Sequence, residues 1–213
     1  MITQQEIDLI AQKCRDLPST PDWRQDDYVM NLFLTVLEFQ LRTYPVVQKA
    51  IDYYKKNRWS EARTHDDLKR LFSKYPDDKE GNTCLAQYLW NYKLWTRVSL
   101  LRKLVAYFES IGVSSQETLI HWAKTSTFEK DFKGKIPGLS FAVYQWLIVR
   151  QGLETVKPDI HLRRFVKSII HRDLPDNKLV GVLENVAKQL GLKACELDWR
   201  IWDYQRKMGK GAR

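Results

Sequence analysis

A chain of 213 residues that is 44% hydrophobic and 12% aromatic can bury a real core, and this composition argues against disorder. Its formal charge of +9 favours a polyanionic partner, because each phosphate neutralised by Lys or Arg releases condensed counterions. The three cysteines, Cys14, Cys84 and Cys195, are far apart and form no CxxC pair, so neither a disulfide framework nor a sulfur-ligated metal site is suggested.

The 9 Gly and 7 Pro are sparse, and apolar residues recur at three and four rather than two, which predicts an all-α fold without strands. Thr3-Gln4-Gln5-Glu6 reads as a hydroxyl cap with a carboxylate three residues on, opening a helix to about Leu17 that Pro18 and Pro21 end. Met1 to Asp16 lacks a signal-peptide core, and no run reaches the ~18 apolar residues of a membrane span. The expectation is a soluble, cytoplasmic protein, nucleoid-associated if bacterial, with no membrane partner. Val29, Leu32, Phe33, Val36, Leu37 and Leu41 line one face of a helix from about Asp26 to Thr43. Pro45 then interrupts before a helix carrying Val47, Ile51 and Tyr54.

Asp66 to Leu71 predicts a brief helix, and Tyr75 to Asn82 a polar surface loop. Leu85 to Gly112 reads as the longest helical region, with Trp90, Leu94, Val98, Leu101, Val105 and Phe108 at core spacing and Gly112 as its stop. Ser115-Gln116-Glu117 caps the next helix, to about Ala123, and a Lys-rich segment from Lys124 to Lys135 follows. Phe141 to Val149 is apolar on almost every side and is expected to be buried; Arg150-Gln151-Gly152 ends it. Further helices are expected from His161 to about His171, Asn177 to about Gln189 and Cys195 to about Met208, with a frayed basic tail at 210–213. Residues 1–25 are read as a helical extension docking on the C-terminal helices, and 26–209 as the main domain.

Residues 130–213 hold 17 of the 35 Lys and Arg but 9 of the 26 Asp and Glu, so the basic surplus lies in that part of the chain. It contains Ile136-Pro137-Gly138-Leu139-Ser140, a Pro-Gly hairpin opening the apolar helix within 133–150. Amides at a helix start lack intrahelical partners and carry partial positive charge, and glycine allows an anion to approach closely. Gly138, Leu139 and Ser140 are therefore candidate phosphate contacts, flanked by Lys133 and Lys135. The plain alternative is a tight helix-to-helix turn with solvated lysines. Asp159 follows in Val156-Lys157-Pro158-Asp159-Ile160-His161, where it can cap the next helix, serve as a catalytic carboxylate held in place by that cap, or do both. Arg163 and Arg164 can bind phosphate or pair with nearby acids. His161 stands at no paired-ligand spacing with His65, His121 or His171, so no metal site is read and no cofactor is expected. Most of the aromatics, such as Trp90, Trp95 and Trp146, fall at core spacing.

The order of helix, Pro-Gly hairpin, buried helix and aspartate before another helix resembles the helix-hairpin-helix DNA glycosylases of the endonuclease III superfamily, over roughly residues 28–206. The family's Leu-Pro-Gly-Val-Gly hairpin corresponds to Ile136-Pro137-Gly138-Leu139-Ser140, and its Val-Asp-x-His segment to Pro158-Asp159-Ile160-His161. More loosely, Leu37-Glu38-Phe39-Gln40 resembles the helix end whose glutamine probes the DNA stack, and Asp198-Trp199-Arg200-Ile201-Trp202 the final helix beside the site. The resemblance implies a two-lobed helical fold, duplex DNA containing a damaged or mispaired base as partner, a monomer, Asp159 as the catalytic carboxylate and Gln40 as the plug for a flipped-out nucleotide.

Two departures shape the implied chemistry. Bifunctional members carry a nucleophilic lysine four residues beyond the hairpin glycine, and here that position is Ala142. The four cysteines that hold an iron-sulfur centre in some members are absent as well. Ser140 also replaces the second hairpin glycine. The implied activity is monofunctional base excision without strand cleavage, the alternative a non-catalytic DNA-binding or damage-recognition protein. A helical protein-interaction module with a chance hairpin is the third reading.

Overall fold

The computed structural model describes residues 2–19, 25–38 and 44–208. Gln40, the candidate plug, lies outside these residues, as do Leu41, Pro21 and the tail at 210–213. The described residues form helices and no strands: α1 (Gln4–Arg15), α2 (Tyr28–Glu38), α3 (Tyr44–Asn57), α4 (His65–Lys74), α5 (Lys79–Trp90), α6 (Trp95–Ser110), α7 (Gln116–Thr125), a π-helical turn at Phe128–Phe132, α8 (Phe141–Val149), α9 (Ile160–Ile170), α10 (Asp176–Leu190) and α11 (Ala194–Met208). The all-helical class is therefore as expected. The chain divides into two compact units, one of Met1–Arg24 with Ser140–Arg213 and one of Gln25–Leu139.

In the first unit, Thr3 and Glu6 form a reciprocal capping box that starts α1 and satisfies two backbone donors. The apolar face of α1, Ile7, Ile10, Ala11 and Cys14, joins Leu162 and Phe165 of α9, Leu183 and Val186 of α10, and Leu197 and Ile201 of α11 in one core. α1 packs against α9 and α10, and α11 packs against the same two helices. Polar ties reinforce this order. Arg172 donates to both oxygens of Glu6, Gln189 Nε2 donates to Asp8, and Arg200 donates to the Leu17 carbonyl. Burial pushes the Cys14 thiol up to about 12, which makes it a packing group rather than a nucleophile.

In the second unit, α2 contacts α3 and α6, and α5 contacts α3 and α6. Edge-on aromatic pairs fill the interior: Phe33 with Tyr54 at 4.8 Å and with Trp90 at 5.3 Å, and Phe108 with Trp122 at 5.1 Å. Three expectations are corrected here. The region from Leu85 to Gly112 is two helices, because Asn91 takes a left-handed conformation (φ 57°) and donates its N–H to the Gln87 carbonyl, ending α5. Trp95 then opens α6 and is 38% exposed rather than in the core. The loop expected from Tyr75 to Asn82 is cut short, since Asp78 caps α5 by accepting from the Gly81 N–H at 2.7 Å.

Gly81 is held against Pro76 so closely that a Cβ would lie 2.2 Å from the Pro76 carbonyl oxygen and 2.8 Å from its nitrogen. Because both obstacles are backbone, Gly81→Ala should lower stability by about 1–3 kcal/mol. At Gly181, inside α10, nothing lies within 4 Å of a new Cβ. Gly181→Ala should therefore raise stability by about 0.5–1 kcal/mol. Urea unfolding of the two variants checks the opposite signs.

Candidate functional site

The approach to α9 is built by local hydrogen bonds. The Asp159 N–H donates to the Lys157 carbonyl at 2.7 Å, a three-residue turn around Pro158, whose ring already holds φ near the value such a turn requires. Asp159 then sits at the N-cap of α9, and its Oδ1 accepts from the His161 N–H at 2.8 Å and from the Leu162 N–H at 3.2 Å. Both bonds fall on the same oxygen. Oδ2 takes no hydrogen bond among the described residues, and the side chain is half-buried, so solvent reaches it. One carboxylate thus anchors a helix and keeps an oxygen for another task.

Behind this turn stands Asp198 of α11, 5% exposed. Its Oδ2 accepts the Lys157 N–H at 2.5 Å across 41 positions of sequence. Burial, and next the charge on Asp159, push the Asp198 carboxyl up to about 8, against the opposing effect of the Lys157 N–H. At neutral pH the acid therefore holds its proton.

Aromatic rings surround the same approach. The Lys157 ammonium lies 4.7 Å from the centre of the Trp146 ring of α8, and the guanidinium of Arg150, 2% exposed, lies 5.2 Å from it. Trp146 is half-buried, not a full core residue as its spacing implied. On α11, Trp199 and Trp202 stack at 4.4 Å with their planes 22° apart, and Trp202 meets the His161 ring edge-on at 6.0 Å. His161 is thus engaged locally, and no group of metal-ligating side chains is found among the described residues.

The hairpin is built as a turn. Leu139 N–H donates to the Ile136 carbonyl at 3.1 Å, with Gly138 between them at φ 92°, where L side chains are strained. Gly138 and Ser140 are exposed, whereas Leu139 is buried. Ser140 is the N-cap of α8 without a side-chain capping bond, in contrast to Thr3, Thr64, Asp78, Ser115 and Asp159. Lys133 pairs with Glu129 at 2.6 Å in an exposed i,i+4 contact, and Lys135 is exposed with no ion pair among the described residues. Arg163 is committed to Asp176 and the Leu174 carbonyl. Arg164, its neighbour, is exposed and makes no ion pair among the described residues. The hairpin residues to Leu139 belong to one unit, Ser140 and Asp159 to the other.

No individual site role falls to Asp198, Trp199, Trp202, Lys157 or Trp146 from sequence, although the resemblance places Asp198 to Trp202 on the final helix beside the site. One signal for Asp198 was present: it falls four residues after Ala194, on the stripe that also carries Leu197 and Ile201, where an acid is out of place. No helix among the described residues is long and apolar enough to cross a membrane. No curated protein and no solved structure matches the chain. A family model described as "Domain of unknown function (DUF8548)" matches residues 8–206. Because that match begins inside α1, ends inside α11 and takes in every candidate residue from Lys133 to Trp202, the chain belongs to the DUF8548 family.

Proposed function

We propose that this protein is a monofunctional DNA glycosylase that removes a damaged or mispaired base from duplex DNA, with Asp159 assisting the attack of water. The observation that carries the reading is the division of labour within Asp159, whose Oδ1 caps α9 while Oδ2 takes no hydrogen bond among the described residues. As the bond from the sugar carbon to the base nitrogen breaks, its electron pair leaves with the base and positive charge builds on the sugar. A carboxylate oxygen fixed beside that carbon stabilises the charge and accepts a proton from the water that forms the new carbon–oxygen bond. Ala142 offers no amine, so no covalent imine forms with the sugar.

Support for a DNA partner comes from the charge and the hairpin. The exposed Gly138 turn and the exposed Lys135 suit a phosphate, and the Lys133–Glu129 pair, weak in water, exchanges readily for one. The resemblance of the hairpin and of the Pro158-Asp159-Ile160-His161 segment to endonuclease III-like glycosylases points the same way. The target nucleotide has to leave the stack, at a few kcal/mol of lost stacking and pairing, and the half-buried, mutually stacked Trp199 and Trp202 rings are the aromatic surface we assign to meet the base.

The test is release of free base from a panel of lesion-bearing duplexes, with Asp159→Asn beside the wild type. Release that depends on Asp159, with nothing trapped by borohydride, is the expected result; equal release by the variant, or a trapped adduct, overturns the chemistry. The second reading, a DNA-binding protein without catalysis, is favoured by Ser140 in place of the hairpin glycine. Salt-sensitive duplex binding with no base released from any lesion would select it.

A further inference from the structure

Asp198 has no task in the chemistry above, yet an acid buried to 5% exposure in a helical core is unfavourable unless something offsets it. What it contacts is the Lys157 peptide: the N–H of that peptide donates to Asp198, and the carbonyl of the same residue accepts the Asp159 N–H. The Lys157 side chain is held from another helix, over the ring of Trp146. Two anchors therefore converge on the residue two places before Asp159, while the α9 amides hold Asp159 itself. We propose that Asp198 is a positioning residue for Asp159, fixing the Lys157–Pro158 turn so that the uncapped carboxylate oxygen stays in one place as the sugar reacts. This rests on the glycosylase reading in giving Asp159 its work.

The proton state fits the geometry. The ionisable groups acting on Asp198 are Asp159 and Lys157, both on the approach to α9. α10 contributes the apolar Leu183, Val186 and Ala187 to the cluster shared with Leu197 and Ile201, and on α11 itself Glu196 is engaged by Arg200. As a neutral acid Asp198 accepts the Lys157 N–H without placing a second negative charge beside Asp159. Above about pH 8 it ionises, and the repulsion between this buried charge and its half-buried neighbour is relieved by moving the two carboxylates apart.

The experiment follows the carboxyl carbon resonances of the full chain against pH, together with base release, in the wild type, Asp198→Asn and Asp198→Ala. Asparagine keeps an acceptor for the Lys157 N–H and cannot ionise; alanine removes the acceptor. In the wild type the Asp159 carbon should show an inflection near pH 8, and base release should decline above it. Both features should vanish in Asp198→Asn. Asp198→Ala should lower kcat by on the order of tenfold or more with KM unchanged, and the Lys157 amide should lose protection from hydrogen exchange. An Asp159 carbon that ignores the ionisation of Asp198, or a wild-type kcat in Asp198→Ala, overturns the proposal. If alanine prevents folding, the two pH comparisons with Asp198→Asn decide alone. If the wild type releases no base from any lesion, the glycosylase reading falls by itself, and the inflection and the amide protection still support or overturn the positioning role.

Discussion

Asp198→Asn should remove a fall in stability that the wild-type protein undergoes between about pH 4 and about pH 8. The sign follows from the two states of the chain. In the unfolded protein the carboxyl titrates at its ordinary 3.8, and in the folded protein burial and the charge on Asp159 push it to about 8. Between those values the folded state binds the proton and the unfolded state does not, so each rise in pH favours unfolding. The slope for one proton is about 1.4 kcal/mol per pH unit, and integration between the two values gives an upper limit of about 6 kcal/mol. The contribution is whole below the unfolded value and gone once pH has risen through the folded one. Other carboxylates act in the opposite direction. Against the opposing effect of burial, Asp67 is held below its ordinary value by hydrogen bonds to Thr64 and the Arg63 N–H, and Asp203 is held below its own by a hydrogen bond to Lys207, so their contribution is present at neutral pH and lost in acid. Subtracting the Asp198→Asn curve from the wild-type curve cancels them. Urea unfolding at intervals across the range measures that difference, and a difference independent of pH would show that Asp198 is already ionised in the folded protein.

Asp159→Asn should lower the rate of base release by about 10²–10⁴ while leaving the fold intact. Asparagine is as good an N-cap as aspartate, so the bonds to the His161 and Leu162 amides persist and α9 keeps its start. What disappears is the negative charge, and with it the stabilisation of the sugar cation. Asp159→Ala loses the cap as well and should lower stability by about 1 kcal/mol. Single-turnover rates beside thermal melts separate the two effects, and a rate loss in Asp159→Asn that merely tracks its stability would refute a catalytic carboxylate. There is a linked consequence: with the Asp159 charge gone, one of the causes that raises Asp198 is removed, so the alkaline step in stability should move to lower pH.

Legibility in the sequence followed the range of the forces involved. Thr3, Ser115 and Asp159 were readable as caps because a cap acts on amides two or three residues away. The break at Asn91 was hidden because Leu94 and Val98 continue the apolar spacing on its far side, and a single left-handed residue leaves no mark on that period. The start of α5 at Lys79 was hidden for a related reason: Gly81 reads as a loop residue, whereas here it serves close approach to Pro76. Lys133 and Arg163 were readable as basic residues, but their partners Glu129 and Asp176 depend on how the turn and helices present them.

By itself the sequence determined the all-helical class, the positive charge of residues 130–213, the glycine at the hairpin tip, the absence of a lysine at Ala142 and the capping aspartate, since each depends on residue identity, on hydrophobic period or on contacts within one helical turn. Tertiary structure alone decided that a buried acid, Asp198, binds the turn before Asp159, because the Asp198–Lys157 bond spans 41 positions and forms when α11 packs against α9. A carboxyl's charge state depends on the water removed around it and on its neighbours' charge, and neither exists until the helices have come together.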